Sequence, residues 1–188
     1  MVNKHRCDWC LRNEKMIKYH DTEWGVPLHN DKKLFEFLIL DAFQAGLSWS
    51  IILNKRENFR EAFDDFDYKK VSNYDEIKID QLLTNSGIIR NKAKIQAAIK
   101  NAIAFQKVQE EFGSFDSYIW QFSDGKTIKN QWYSIKELPA KSEISDRMSK
   151  DLIKRGFKFV GSTICYAFMQ AIGMVNDHLV TCYRYNEL

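Results

Sequence analysis

The residues best suited to hold a metal ion gather at the two ends of the chain. Cys7, Cys10 and His20 stand near the start, and His178 and Cys182 near the finish. His178 and Cys182 are spaced i, i+4, so one turn of helix would carry both on one face, as two ligands of a tetrahedral zinc site require. A pair from the other terminus would complete a Cys2His2 set. With no coordination position left open, such a metal ties the termini together and does not activate water. Cys7-Asp8-Trp9-Cys10 is also a C-x-x-C, the spacing of a redox pair, but the βαβ pattern in which such pairs work is missing around it. Taken singly, each of these residues equally fits a buried thiol or a hydrogen-bonded core histidine.

A second group is aromatic. Trp9, Tyr19, Trp24 and Trp49 cluster in the first quarter of the chain, close to Asp21, Glu23 and Asp41. Aromatic faces beside a carboxylate suit a flat cation, at roughly 0.5–2 kcal/mol for each cation–π contact. Ordinary core packing accounts for the same tryptophans equally well.

The third group is basic. Leu82–Phe105 reads as a short apolar helix that stops at Asn85-Ser86-Gly87, where glycine suits a left-handed turn, followed by Ile88 and Ile89 in the turn itself. A new helix restarts with Ile95, Ile99 and Ile103 in register, and carries Arg90, Asn91, Lys92 and Lys94 at its start. Cations are unfavourable at a helix N-terminus unless an anion arrives, and the unpaired N–H groups there also favour one. The pattern fits a phosphate clamp, or a plain αα-corner with a solvated charged face.

The elements that must position these groups are helical. Asn30 caps a helix with Leu34, Phe35, Leu38 and Ile39 facing a core, ended by Ala45-Gly46. Ser48 opens a second with Ile52, Phe59 and Phe63 inside. Ser114 starts a helix holding Phe115, Tyr118, Ile119 and Phe122; Ser145 begins one stopped by Gly156; the last strong helix runs from Ser162 to Gly173. Residues 126–141 read as a long surface excursion. Almost nothing alternates with period two, so the expected fold class is all-α. At 188 residues, 45% hydrophobic and 14% aromatic with 2 prolines, the chain can bury a substantial core, and disorder is excluded. A net charge of +3 is too mild to identify a polyanionic partner by itself. No signal-like or membrane-length apolar run appears, so a cytoplasmic protein with its 4 cysteines reduced is expected.

Five blocks carry a family resemblance: Tyr19–Pro27 (YHDTEWGVP), Gln44–Trp49 (QAGLSW), Gly87–Arg90 (GIIR), Arg155–Cys165 (RGFKFVGSTIC) and Asn176-Asp177-His178. In this order, across nearly the whole chain, they resemble 3-methyladenine DNA glycosylase I. The resemblance implies a helix-hairpin-helix glycosylase fold in one domain: a hairpin lobe over about 41–112, and a zinc-stapled lobe from 1–40 plus 113–188. It implies a structural zinc on Cys7, His20, His178 and Cys182, leaving Cys10 outside, with no organic cofactor. It implies a monomer acting on double-stranded DNA that contains alkylated bases. Trp49 would stack on the extruded base, Tyr19 and Asp41 would hold its edge as the catalytic pair, and Trp24 and Trp9 would wall the pocket. Gly46-Leu47 would press into the gap left in the duplex, while Gly87, Ile89, Arg90 and Lys92 grip the strand. The chemistry implied is hydrolysis of the N-glycosidic bond without strand cleavage. Two positions depart from the family pattern. Asp41 stands where glutamate is usual, one bond of about 1.5 Å shorter, and a misplacement of about 1 Å can cost on the order of 10²-fold in rate. Met16 stands where tyrosine is frequent. A non-catalytic, zinc-stapled DNA-binding protein of the same fold is the alternative these departures allow.

Overall fold

A computed structural model describes residues 4–188. Among them are nine α-helices, in chain order α1 (Glu14–Thr22), α2 (Asp31–Gln44), α3 (Trp49–Ala62), α4 (Tyr68–Val71), α5 (Glu76–Thr84), α6 (Lys92–Phe112), α7 (Phe115–Trp120), α8 (Glu143–Lys154) and α9 (Ser162–Ala171). The architecture is mostly helical, as the absent two-residue period requires, with one addition. Strands β1 (Ile128–Lys129) and β2 (Val175–Asn176) pair in parallel, Ile128 with Val175 and Lys129 with Asn176. Two-residue strands are too short to show alternation.

The helix at the centre is α2. Every residue from Leu34 to Phe43 is buried, as the apolar residues on all sides of that stretch require. The Asn30 side chain accepts from Lys33 N–H and fixes its start. Asp31, in its first turn, also accepts from the N–H groups of Phe115 and Asp116 at 2.9 Å each, so one carboxylate caps α7 as well. Around α2 pack α3, α6, α7 and α9, with Ile52, Phe59, Phe63, Phe105 and Phe115 wholly buried.

Several local expectations need correction. Helix α8 starts at Glu143 rather than Ser145, because Ser142 and Ser145 form a reciprocal capping box. On α6 the buried stripe is Ile95, Ala98, Ala102 and Phe105, while Ile103 is exposed. Residues 126–141 are not a detached excursion: Ile128, Trp132 and Leu138 pack on the core, and Trp132 bridges to Leu179. Gly173, with φ +71°, lets two backbones meet; a Cβ there would lie 2.3 Å from the carbonyl carbon of Val26. No helix among the described residues is long and apolar enough to cross a membrane.

Candidate active site and metal centre

Two neighbouring sites are built from the chain ends, α1, α2, α9, the start of α3 and the 126–141 segment. The first is a cavity of about 210 Å3 lined by Trp9, Met16, Tyr19, Trp24, Asp41, Gln44, Trp49, Ile135, Leu138, Ala167 and Gln170. All five pocket residues expected from sequence therefore meet in one place. The Tyr19 and Trp49 rings lie 5.2 Å apart, and Trp9 packs edge-on to Trp24 at 4.9 Å. Tyr19 and Asp41 come from helices that need their caps, Asn13 for α1 and Asn30 for α2. Trp49 is the first residue of α3, after the Ser48 cap position.

The polar atoms of this cavity are poorly satisfied. Asp41 is 2% exposed, and its Oδ2 has no hydrogen-bond partner; neither has the Trp49 indole N–H. Buried groups of this kind are rare, because each forfeits its bonds to water. Burial pushes the Asp41 carboxyl well above the usual carboxylate range, against an opposing pull from Arg56. Burial, with the Asp41 charge second, also raises the Tyr19 hydroxyl, so it stays a neutral donor. Arg56 is itself held by Glu36 at 2.6 Å and Glu23 at 2.7 Å. Burial thus favours the protonated form of Asp41, and a cation entering the cavity would favour its carboxylate.

Sequence reasoning missed Gln44, Ile135, Leu138, Ala167 and Gln170. Ile135 and Leu138 arrive from the irregular 126–141 segment, which has no period to read. That segment is tied down by Asp177, whose buried carboxylate accepts from Asn130 at 2.7 Å, Trp132 at 2.8 Å, Tyr166 at 2.7 Å and Gln170 at 2.8 Å.

The second site is a cluster of Cys7, His20, His178 and Cys182. All four are buried and their ligand atoms lie within 4.8 Å of one another, so the group can hold a metal ion. Cys182 Sγ is 3.4 Å from His20 Nε2 and 3.5 Å from His178 Nδ1, and Cys7 Sγ is 3.8 Å from His178 Nδ1. The outer nitrogens are occupied: His20 Nδ1 meets Asp21 at 2.8 Å, and His178 Nε2 meets the Trp24 carbonyl at 3.1 Å. Asp21 is in turn gripped by Arg6. Burial would raise its carboxyl, but bonds from Arg6 and His20 outweigh that and hold it below the usual range. Hydrogen bonds, first from Cys7 and then from His178 and His20, hold the Cys182 thiol far below the ordinary range. His178 and Cys182 are brought together by a tight turn after β2, with Cys182 N–H bonded to the Leu179 carbonyl, not by a helix. Cys10 is buried outside the cluster, and burial pushes its thiol up to about 11, which disfavours the thiolate a redox pair needs.

The basic group divides. Gly46 (φ +78°) has open space around it and Leu47 beside it is exposed. Arg90 is exposed, and Gly87 and Ile89 are half-buried, in the turn between α5 and α6, and Lys92 is exposed at the first position of α6. Gly87 is not left-handed; glycine is needed because a Cβ would meet Asn85 Oδ1 at 2.9 Å and Asn58 Cβ at 3.0 Å. The turn is braced by Lys55 and Asn58 of α3, which donate to its carbonyls. Lys94 is not part of the exposed set: it is buried and donates to the carbonyls of Phe43 and Ala45 at the end of α2.

Comparison with known proteins agrees with this geometry. A family model described as methyladenine glycosylase matches residues 9–185. The chain is 47% identical over 180 residues to the DNA-3-methyladenine glycosylase 1 of Escherichia coli (strain K12), covering 96% of each. It is 46% identical over 177 residues to the DNA-3-methyladenine glycosylase of Haemophilus influenzae, covering 94% of this chain and 96% of that one. A crystal structure of 3-methyladenine DNA glycosylase I superposes with a TM-score of 0.93 at 47% identity, over 95% of this chain and 98% of that one. The Staphylococcus aureus enzyme, solved to explain 3-methyladenine recognition, superposes at 0.92 with 34% identity over 95% of each. The chain belongs to the methyladenine glycosylase family.

Proposed function

We propose that this protein hydrolyses the N-glycosidic bond of 3-methyladenine in alkylated double-stranded DNA, without cutting the strand. The observation that carries the reading is the shared cavity of Trp49, Tyr19 and Asp41, with a buried carboxylate oxygen and an indole N–H both unpartnered. A 3-methylated adenine attached to deoxyribose is a cation, and it leaves as a neutral base. Its glycosidic bond needs no strong acid, only a site that favours the charged lesion over neutral bases. Trp49 stacks on the flipped base, with Trp9 and Trp24 walling the pocket. The cation draws Asp41 into its carboxylate form, and Asp41 with the neutral Tyr19 hydroxyl binds the polar edge of the base. The sugar, as it gains positive character, stays near the phosphates, and water completes hydrolysis there.

Strand grip falls to the α5–α6 turn, read as a helix-hairpin-helix within a lobe over about 41–112. The Asn91 side chain bonds Lys94 N–H, leaving the Lys92 and Ala93 N–H groups for a phosphate, beside the Arg90 and Lys92 side chains. Gly46-Leu47 fills the gap in the duplex. The remaining lobe, 1–40 with 113–188, is stapled by zinc on Cys7, His20, His178 and Cys182. Tetrahedral zinc at ordinary bond lengths sets sulfur and nitrogen donors about 3.5 Å apart, which the 3.4–3.8 Å spacings here match. When bound it neutralises the thiolates and holds the termini. The protein acts as a cytoplasmic monomer. Incubating it with methylated DNA and chromatographing the released bases tests the reading: 3-methyladenine appears and the strand stays whole. Well-folded, metal-loaded protein that releases none refutes it.

A further inference from the structure

The three longest stretches of the chain without aspartate or glutamate are 42–56, 81–109 and 152–176. The first holds the Gly46-Leu47 turn and the second the α5–α6 turn, both given to DNA above. The third has no such task, yet it meets the second in space. Lys158 and Phe159, in the loop between α8 and α9, border a groove of about 340 Å3 whose other wall is Ala93, Gln96, Ala97 and Lys100 of α6.

The loop is held in an unusual way. Phe159 has φ +55°, the left-handed region that bulky residues avoid, yet it is 38% exposed. Full burial of the ring is therefore not what offsets the strain. Asn101, wholly buried on α6, clamps the preceding residue: its amide donates to the Lys158 carbonyl at 3.1 Å and its oxygen accepts from Lys158 N–H at 2.7 Å. Phe157 and Val160 on either side are buried anchors. The result is an exposed aromatic side chain on the same groove that exposed Lys100 and Lys158 line. Arg155 nearby is spent on Glu111 and Asp151. Lys100 and Lys158 make no ion pair among the described residues.

We propose that this strap is a further DNA contact, in which Lys100 and Lys158 bind phosphates and Phe159 packs on an unstacked base or sugar between them. Unpaired cations flanking an aromatic face are the means by which proteins hold a nucleic-acid strand without reading sequence. The groove begins at Ala93, in the first turn of α6, so the contact continues from the proposed grip of Arg90 and Lys92 along that helix. It rests on the glycosylase reading and extends the footprint that reading needs.

The test uses the full chain, a duplex bearing an uncleavable abasic analogue, and anisotropy at several salt concentrations. The double variant Lys100→Gln/Lys158→Gln flattens the slope of log K against log salt by about 1.8, at about 0.9 per phosphate. Phe159→Gly, which suits the backbone angle, weakens duplex binding about tenfold, the scale of one lost stacking contact. Both variants keep the parent's affinity for free 3-methyladenine, which reports on the cavity alone. Unchanged duplex affinity and slope in both, with base binding intact, overturn the strap. A parent protein that binds free base but no duplex overturns the DNA reading itself, and this contact with it.

Discussion

Lys94 reaches out of the first turn of α6 to place its ammonium 2.6 Å from the carbonyl oxygen of Ala45, one residue before the exposed Gly46-Leu47 turn. A second bond of 2.7 Å goes to Phe43. These carbonyls end α2, where the helix dipole is negative and a cation is favourable. The helix proposed to grip phosphate and the turn proposed to enter the duplex are thereby joined by one side chain.

Replacing that ammonium separates the two parts. Lys94→Met keeps the stem but leaves two carbonyls unpaired, at a cost of about 1–3 kcal/mol. Excision from duplex DNA is expected to fall about tenfold, while affinity for free 3-methyladenine stays at the parent level. Side-by-side excision assays and calorimetric titrations check this, and a parallel loss in both would assign Lys94 to general stability.

Asp41 makes the site sensitive to pH. Burial raises its folded pKa above 3.8, so the folded protein holds the proton more tightly than the unfolded chain does. The stability this lends is complete below the unfolded pKa and is lost as pH rises through the folded value. A cationic lesion favours the carboxylate, so its binding releases a proton and strengthens as pH rises. Asp41→Asn should remove the proton release and lower excision by about 10²-fold or more. Calorimetry in two buffers of different ionisation enthalpy measures the proton directly.

Chelation should loosen the lobe that contains both termini. A lost structural metal site withdraws several kcal/mol, which for a chain of this size lowers the melting midpoint by about 10 °C or more. Cys182→Ser should melt at the lower temperature with or without chelator. Equal midpoints for parent protein in both conditions would contradict a resident ion.

Asp177 anchors the cavity wall at a distance. Removing its carboxylate strands four donors, Asn130, Trp132, Tyr166 and Gln170. Asp177→Ala is expected to destabilise by about 3 kcal/mol or more, and to weaken binding of the free base through Gln170 and the 135–138 wall. Denaturant titration together with base titration separates the two effects.

Much of this arrangement could be read from the chain because its signals are local. Asn30, Asn91 and Ser114 cap helices within three residues of themselves, and Tyr19, His20 and Trp24 lie on one short segment. What escaped reading depends on partners far away in sequence. From sequence Lys94 reads as one more phosphate ligand, because nothing near it foretells carbonyls some fifty positions earlier. From sequence Gly87 reads as a left-handed stop, whereas its small size answers to Asn85 and to Asn58 on α3. Ile135 and Leu138 follow no period, and their place is set by Asp177.

Because α2 is enclosed on every side, the amide protons around Asp41 should exchange with solvent only when the whole molecule opens. The acid edge of the cavity is then a fixed anvil that cannot advance to meet a poorly seated base. On the proposed reading, accommodation of a larger or smaller adduct falls instead to the cavity wall where half-exposed Ile135 rides on a short 3-10 turn.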